Sequence, residues 1–103
     1  MDGPNKDICE ILVKIGEYER DTSGQIYKFV AYNKAAKALS SLDHRVKSGA
    51  EAKTLPRIGP KISSVIDVIL AKKYDELPVD VSGIVSDNKS IIKSEKKKIQ
   101  SLL

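Results

Sequence analysis

One cysteine and one histidine in 103 residues deny this chain two common kinds of cross-link. Cys9 has no partner for an internal disulfide, and with His44 alone beside it there is no set of soft ligands for a structural zinc. A reducing compartment is the expected setting. No apolar run approaches the roughly 20 residues that span a bilayer, and Met1-Asp2-Gly3-Pro4-Asn5 lacks the charged and apolar regions of a signal peptide. The chain therefore reads as soluble and intracellular, nuclear where the host has a nucleus, with no membrane partner. It carries no internal repeat and no low-complexity segment of consequence. Its length suits one small helical core rather than a large enzyme cleft.

What the chain does have is positive charge and a crowded turn. Lys and Arg number 18 against 14 acidic residues, a formal +4 with an isoelectric point near 9.2, which favours anionic partners. In Leu55-Pro56-Arg57-Ile58-Gly59-Pro60-Lys61-Ile62, two prolines and a glycine crowd a short turn that opens into an amphipathic helix. Gly59 can take a positive φ, and Pro60 pre-sets the φ of a first helical turn, where its missing N–H costs nothing. The free N–H groups of that first turn, the helix dipole and the charge of Lys61 together suit a phosphate. The spacing fits one half of a helix-hairpin-helix, a module that grips the nucleic-acid backbone without reading bases. No helix is rich in Arg, Asn or Gln, the residues that read a major groove.

Apolar periodicity predicts four helices. The first runs from about Asp7 to Glu19, capped by Asn5 or Asp7, with Ile8, Ile11, Leu12 and Ile15 in one stripe that Tyr18 extends. Asp21-Thr22-Ser23-Gly24 ends it. The second spans about Gln25 to Leu39, with Ile26, Phe29, Val30, Ala36 and Leu39 on the buried side and Lys28, Lys34 and Lys37 outside, and with Ala35-Ala36 permitting close helix approach. After a connection from Ser40 to Ser48, Ser48-Gly49-Ala50-Glu51 reads as a cap opening a short third helix that ends near Thr54. Ile62, Val65, Ile66, Ile69 and Leu70 define a fourth helix to about Lys73. Pro78, Gly83 and Ser86-Asp87-Asn88 then stop regular structure, while Ile91, Ile92, Ile99, Leu102 and Leu103 can build a further helix around the charged block from Lys93 to Lys98. The expected fold is all-α: an arm over residues 1–6, a compact four-helix domain with one helix-hairpin-helix over residues 7–77, and a basic tail over residues 78–103.

Three blocks carry a resemblance. Ala31-Tyr32-Asn33-Lys34-Ala35-Ala36, then Lys47-Ser48-Gly49-Ala50-Glu51-Ala52-Lys53, then Leu55-Pro56 with Ile58-Gly59 and Lys61-Ile62, closely resemble the N-terminal domain of the family X DNA polymerases, polymerase beta among them. The resemblance implies a four-helix unit that binds the 5′-phosphate at the downstream side of a DNA gap. Its phosphate pocket corresponds here to Lys28, Tyr32, Lys53 and Lys61, with Tyr27 where the family sets a ring against the template strand. Helical geometry agrees for one pair, since Lys28 and Tyr32 are i and i+4 on one face and can converge on one anion. The plain alternative is that both tyrosines are half-buried packing residues and the lysines a solvated face. The resemblance also implies a monovalent cation, Na+ or K+, on the backbone carbonyls of Lys53, Leu55 and Ile58.

Two departures matter. Family members that act as deoxyribose-phosphate lyases place a Schiff-base lysine four residues after the position of Lys61. Val65 stands there and has no amine, so no catalytic residue is assigned. Arg57 replaces a glycine of polymerase beta in the first half of the hairpin, where its side chain either alters the turn or supplies a further phosphate contact beside Gly59. The paired aspartates of nucleotidyl transfer are missing, and Val81-Ser82-Gly83-Ile84 echoes a second hairpin without its second glycine, at Val85. The leading expectation is a sequence-nonspecific DNA-binding module for backbone and 5′-phosphorylated, gapped DNA, serving as a domain or subunit of DNA repair or DNA-modifying machinery. The rivals are a lyase domain and a module that docks on other protein subunits with secondary DNA contact.

Overall fold

The computed structural model describes residues 3–85, and the further helix expected within residues 91–103 lies outside them. Helix α1 spans Lys6–Ser23, α2 Ile26–Ser40, α3 Gly49–Ala52 and α4 Pro60–Leu70, with a 3-10 turn at Tyr74–Glu76. Among the described residues there is no strand, as the all-α expectation requires.

Helix α1 continues past Glu19 for another turn. The hydroxyls of Thr22 and Ser23 donate to the carbonyls of Tyr18 and Glu19 at 2.7 and 2.8 Å, so these residues satisfy the helix rather than break it. Gly24 ends it at φ 69°, its N–H donating to Arg20 O at 2.9 Å in a left-handed cap. Only Gly24 and Gln25 separate α1 from α2, which forces the two helices to run antiparallel. They pack through Ile8, Ile11, Leu12 and Ile15 on one side and Tyr32, Ala35, Ala36 and Leu39 on the other. At the crossing, a Cβ on Gly16 would lie 2.9 Å from Tyr32 Cβ and 3.4 Å from the Phe29 backbone, so the approach depends on the missing side chain. Near the end of α1, the Arg20 guanidinium lies 4.5 Å from the centre of the Phe29 ring.

The apolar stripe of α2 is not the expected one. Ile26 and Val30 are 54 and 40% exposed, whereas Tyr32 is buried. At 3.6 residues per turn Val30 stands about 200° around the helix from Tyr32, and α1 covers the Tyr32 side. Hydrophobicity alone could not choose, because both flanks of this helix carry large apolar side chains.

Asn5 occupies the N-cap position of α1 but makes no side-chain cap. It is buried, donates to the carbonyls of Leu39 and His44 at 3.3 and 2.9 Å, and accepts from Val46 N–H at 3.0 Å, pinning the α2–α3 connection to the start of α1. Beside it Arg45 makes a paired contact with Asp7 at 2.7 and 3.0 Å and donates to Pro4 O at 2.9 Å. Cys9 is wholly buried, its thiol donating to Ala36 O at 3.2 Å, and burial pushes that thiol up to about 11.

The cap expected for α3 is present. Ser48 Oγ accepts from Glu51 N–H at 3.1 Å, while the Glu51 carboxylate reaches back to Lys47 N–H at 2.7 Å. Helix α4 crosses α3 so closely that Asp67 accepts from Gly49 N–H at 2.7 Å. A Cβ on Gly49 would sit 2.1 Å from Ser63 O and 2.6 Å from Asp67 Oδ2. Helix α4 stops at Leu70, three residues before Lys73, where Lys72 turns left-handed at φ 61° and Lys73 N–H closes back on Val68 O at 3.1 Å. The packed chain runs on beyond Leu77: Val81 and Val85 belong to the core, and the N–H groups of Ile84 and Val85 both return to Val81 O.

Two outcomes follow from this packing. Gly49→Ala forces α3 and α4 apart and should lower stability by about 1–3 kcal/mol, measured by urea unfolding, and an unchanged midpoint would show that the crossing tolerates a methyl. The second concerns acid. Burial by itself would raise the Asp7 carboxyl, but the hydrogen bonds and charge of Arg45 hold it below its ordinary 3.8. With the folded value below the unfolded one, the stabilisation is complete above about pH 4 and is lost as pH falls through the folded value. Unfolding midpoints between pH 2 and 6 should therefore fall more steeply for the unmutated chain than for Arg45→Gln.

Candidate nucleic-acid interface

The hairpin between α3 and α4 is built from tight local turns. Leu55 N–H donates to Ala52 O at 3.0 Å and Ile58 N–H to Leu55 O at 3.2 Å, while the buried Ile58 anchors the loop to the core. Gly59 does not use the positive φ open to it. It is extended, at φ −90° and ψ −177°, as the N-cap of α4. The reason is Pro60, whose ring drives the preceding residue into the extended region. Pro60 takes the first helical position, as its missing N–H predicts. No side chain caps this end, so the N–H groups of Lys61 and Ile62 remain orphan donors, with the positive end of the helix dipole behind them. A Cβ on Gly59 would meet nothing within 4 Å, which leaves the approach to those donors open.

Helix α2 faces this end of α4 across a cleft of about 350 Å³, lined by Tyr27, Lys28, Ala31, Tyr32, Arg57, Gly59, Pro60, Lys61 and Ile62. Six of the seven residues singled out from the sequence thus share one concavity. The seventh, Lys53, does not line it. It is the C-cap of α3 and exposed. Val65 is also outside the lining: half-buried, it packs against the core, although it lies one turn along α4 from Lys61.

Each group in the cleft has a distinct environment. The Tyr32 ring is buried as a packing residue. No buried side-chain polar atom among the described residues lacks a hydrogen bond, and Tyr32 has no partner there, so its hydroxyl opens on the cleft. Burial first, then the Glu19 carboxylate, raises that hydroxyl above its ordinary value, keeping it a neutral donor. Lys28 is half-buried and makes an ion pair with Glu19 of α1 at 3.5 Å. Arg57 and Lys61 are exposed from the hairpin side. Tyr27 is 68% exposed, its hydroxyl 3.3 Å from Gln25 Oε1, and presents a ring face to solvent. Three cations line the cleft and no carboxylate does.

A second, shallower hollow of about 550 Å³ adjoins the first, sharing Tyr27, Ala31 and Arg57 and adding Val30, Lys34 and Pro56. Arg57 therefore stands on the ridge between the two. Helical spacing could have grouped Val30 and Lys34 with Tyr27 and Ala31 on one face of α2. Glu19 was beyond any such reasoning, since it reaches Lys28 from a different helix.

Arrangement and family agree. A family model described as a helix-hairpin-helix domain matches residues 3–75, well over half of the chain. It takes in the α3–hairpin–α4 unit together with the two helices that complete the cleft, and the chain belongs to the helix-hairpin-helix domain family.

Proposed function

We propose that this chain is a sequence-nonspecific DNA-binding module whose cleft takes a backbone phosphate, with preference for a 5′-phosphate bordering a gap. Helix-hairpin-helix domains are in general nonspecific DNA-binding motifs. The observation that carries the finer reading is the convergence of Lys28, Arg57, Lys61, the Tyr32 hydroxyl and the orphan N–H groups of α4 on one cleft without a lining carboxylate. A phosphate there meets charge, a neutral donor and a helix N-terminus together. Tyr27 offers an aromatic face to a base next to that phosphate. Lys53 supports contact with a neighbouring phosphate rather than the one in the cleft. Val65 brings no amine to the site, and the reading assigns no Schiff-base chemistry to it. Kinship with the N-terminal domains of family X polymerases, a repair setting and a nuclear location belong to the same proposal, supported by the three sequence blocks.

A monovalent cation fits the hairpin on this reading. The carbonyls of Lys53 and Ile58 accept no backbone hydrogen bond among the described residues, and that of Leu55 accepts one from Ile58 N–H and keeps its second lone pair. Na+ or K+ on these three oxygens would add positive charge beside the DNA backbone.

The test is fluorescence-anisotropy titration of a gapped duplex ending in a 5′-phosphate or a 5′-hydroxyl. With about four phosphates neutralised, affinity should fall with a log–log salt slope on the order of −3 to −4. The phosphorylated end should bind more tightly, and Lys61→Ala should remove most of that preference, a charge-assisted bond being worth about 1.5–3 kcal/mol. Equal binding of both ends by the unmutated chain overturns the 5′-phosphate reading. A salt-independent interaction overturns backbone binding itself.

A further inference from the structure

One carboxylate reaches the cleft's cations without lining the cleft. Glu19 projects from α1 one turn beyond Gly16, where that helix presses closest on α2, and its Oε1 lies 3.5 Å from Lys28 Nζ. The two side chains are 20 and 30% exposed, so the pair is shielded more than a surface ion pair yet remains next to solvent. Tyr32 feels the same carboxylate. The cation that α2 contributes to the cleft is therefore already engaged when the cleft is empty.

We infer that Glu19 is a built-in counter-ion that competes with DNA phosphate for Lys28 and so holds down the affinity of the cleft; this rests on the phosphate reading above. An internal phosphodiester carries one negative charge, the same as the carboxylate it must displace, and gains little from the exchange. A terminal phosphate carries about −1.5 to −2 at neutral pH and wins the ammonium more decisively. Near the surface, Glu19 turns to water once displaced. On this account the cleft binds every phosphate less tightly than its cations alone would, because the cost of breaking the Lys28–Glu19 pair is common to all of them.

Glu19→Gln keeps the size of the side chain and removes the charge. At fixed salt it should tighten binding of the 5′-phosphorylated gapped duplex by about three- to fivefold and that of the hydroxyl-ended duplex by no more than that, so that the preference between them is kept or widened. Glu17→Gln makes the same change of net charge at an exposed position of α1 and serves as the comparison. In a Lys28→Gln background the effect of Glu19→Gln should vanish. The inference is overturned if Glu19→Gln behaves like Glu17→Gln, if it weakens binding, or if its effect persists without Lys28. Should the unmutated chain bind neither duplex, the phosphate reading falls and this inference with it, whereas binding with an unchanged affinity or a narrowed end preference in Glu19→Gln removes the inference alone.

Discussion

The contact between α3 and α4 at Gly49 sets the geometry on which the rest of the molecule depends. Helix α3 has only four residues and cannot hold a direction by itself. It is oriented from outside: Asp67 of α4 takes its first N–H, Ser63 O sits where a side chain would be, and Ser48 and Glu51 close the turn. With both ends of the hairpin fixed on one another, the seven residues of loop between Ala52 and Pro60 have little freedom left, and Ile58 ties them to the core. The exposed N-terminus of α4 is then aimed by packing rather than by anything in the loop. A loop built this way can present open donors, because its order does not rest on them.

A second constraint comes from the opposite side. The α1–α2 crossing at Gly16 seats Tyr32, and Asn5 locks the connection that carries the chain from α2 to α3. Three hydrogen bonds from one buried side chain across an irregular segment do the work that a longer hydrophobic contact would do in a larger domain. The wall of the cleft on α2 and the wall on the hairpin are thus held by separate devices, and the width between them follows from the shared core of Ile62, Ile66 and the α1 stripe.

Charge in the cleft is arranged in tiers. Arg57 and Lys61 stand exposed on the hairpin, Lys28 is half-buried against Glu19, and Tyr32 is a neutral donor at the floor. An anion meets the exposed cations first and the engaged one last. On the proposed function, such an order lets the exposed charge meet a phosphate first and leaves the engaged lysine for the final contact.

Much of this was legible in the chain itself. Short-range physics determined the existence and approximate reach of all four helices, the Ser48 cap, the Pro60 start of α4 and the grouping of Lys28 with Tyr32, because each depends on residues within a turn or two of one another. The failures share a cause. The end of α1, the exposed Ile26 and Val30, the capless Asn5 and the reach of Glu19 were decided elsewhere: by hydroxyls that satisfied a helix, by which flank of α2 received α1, and by partners 34 to 41 residues away in the case of Asn5. Sequence by itself determined which residues carry positive charge near the hairpin. Only the tertiary structure decided which of them share one cleft and which is held by an acid, since helix spacing fixes neighbours along one element and says nothing of what another element brings across to meet them.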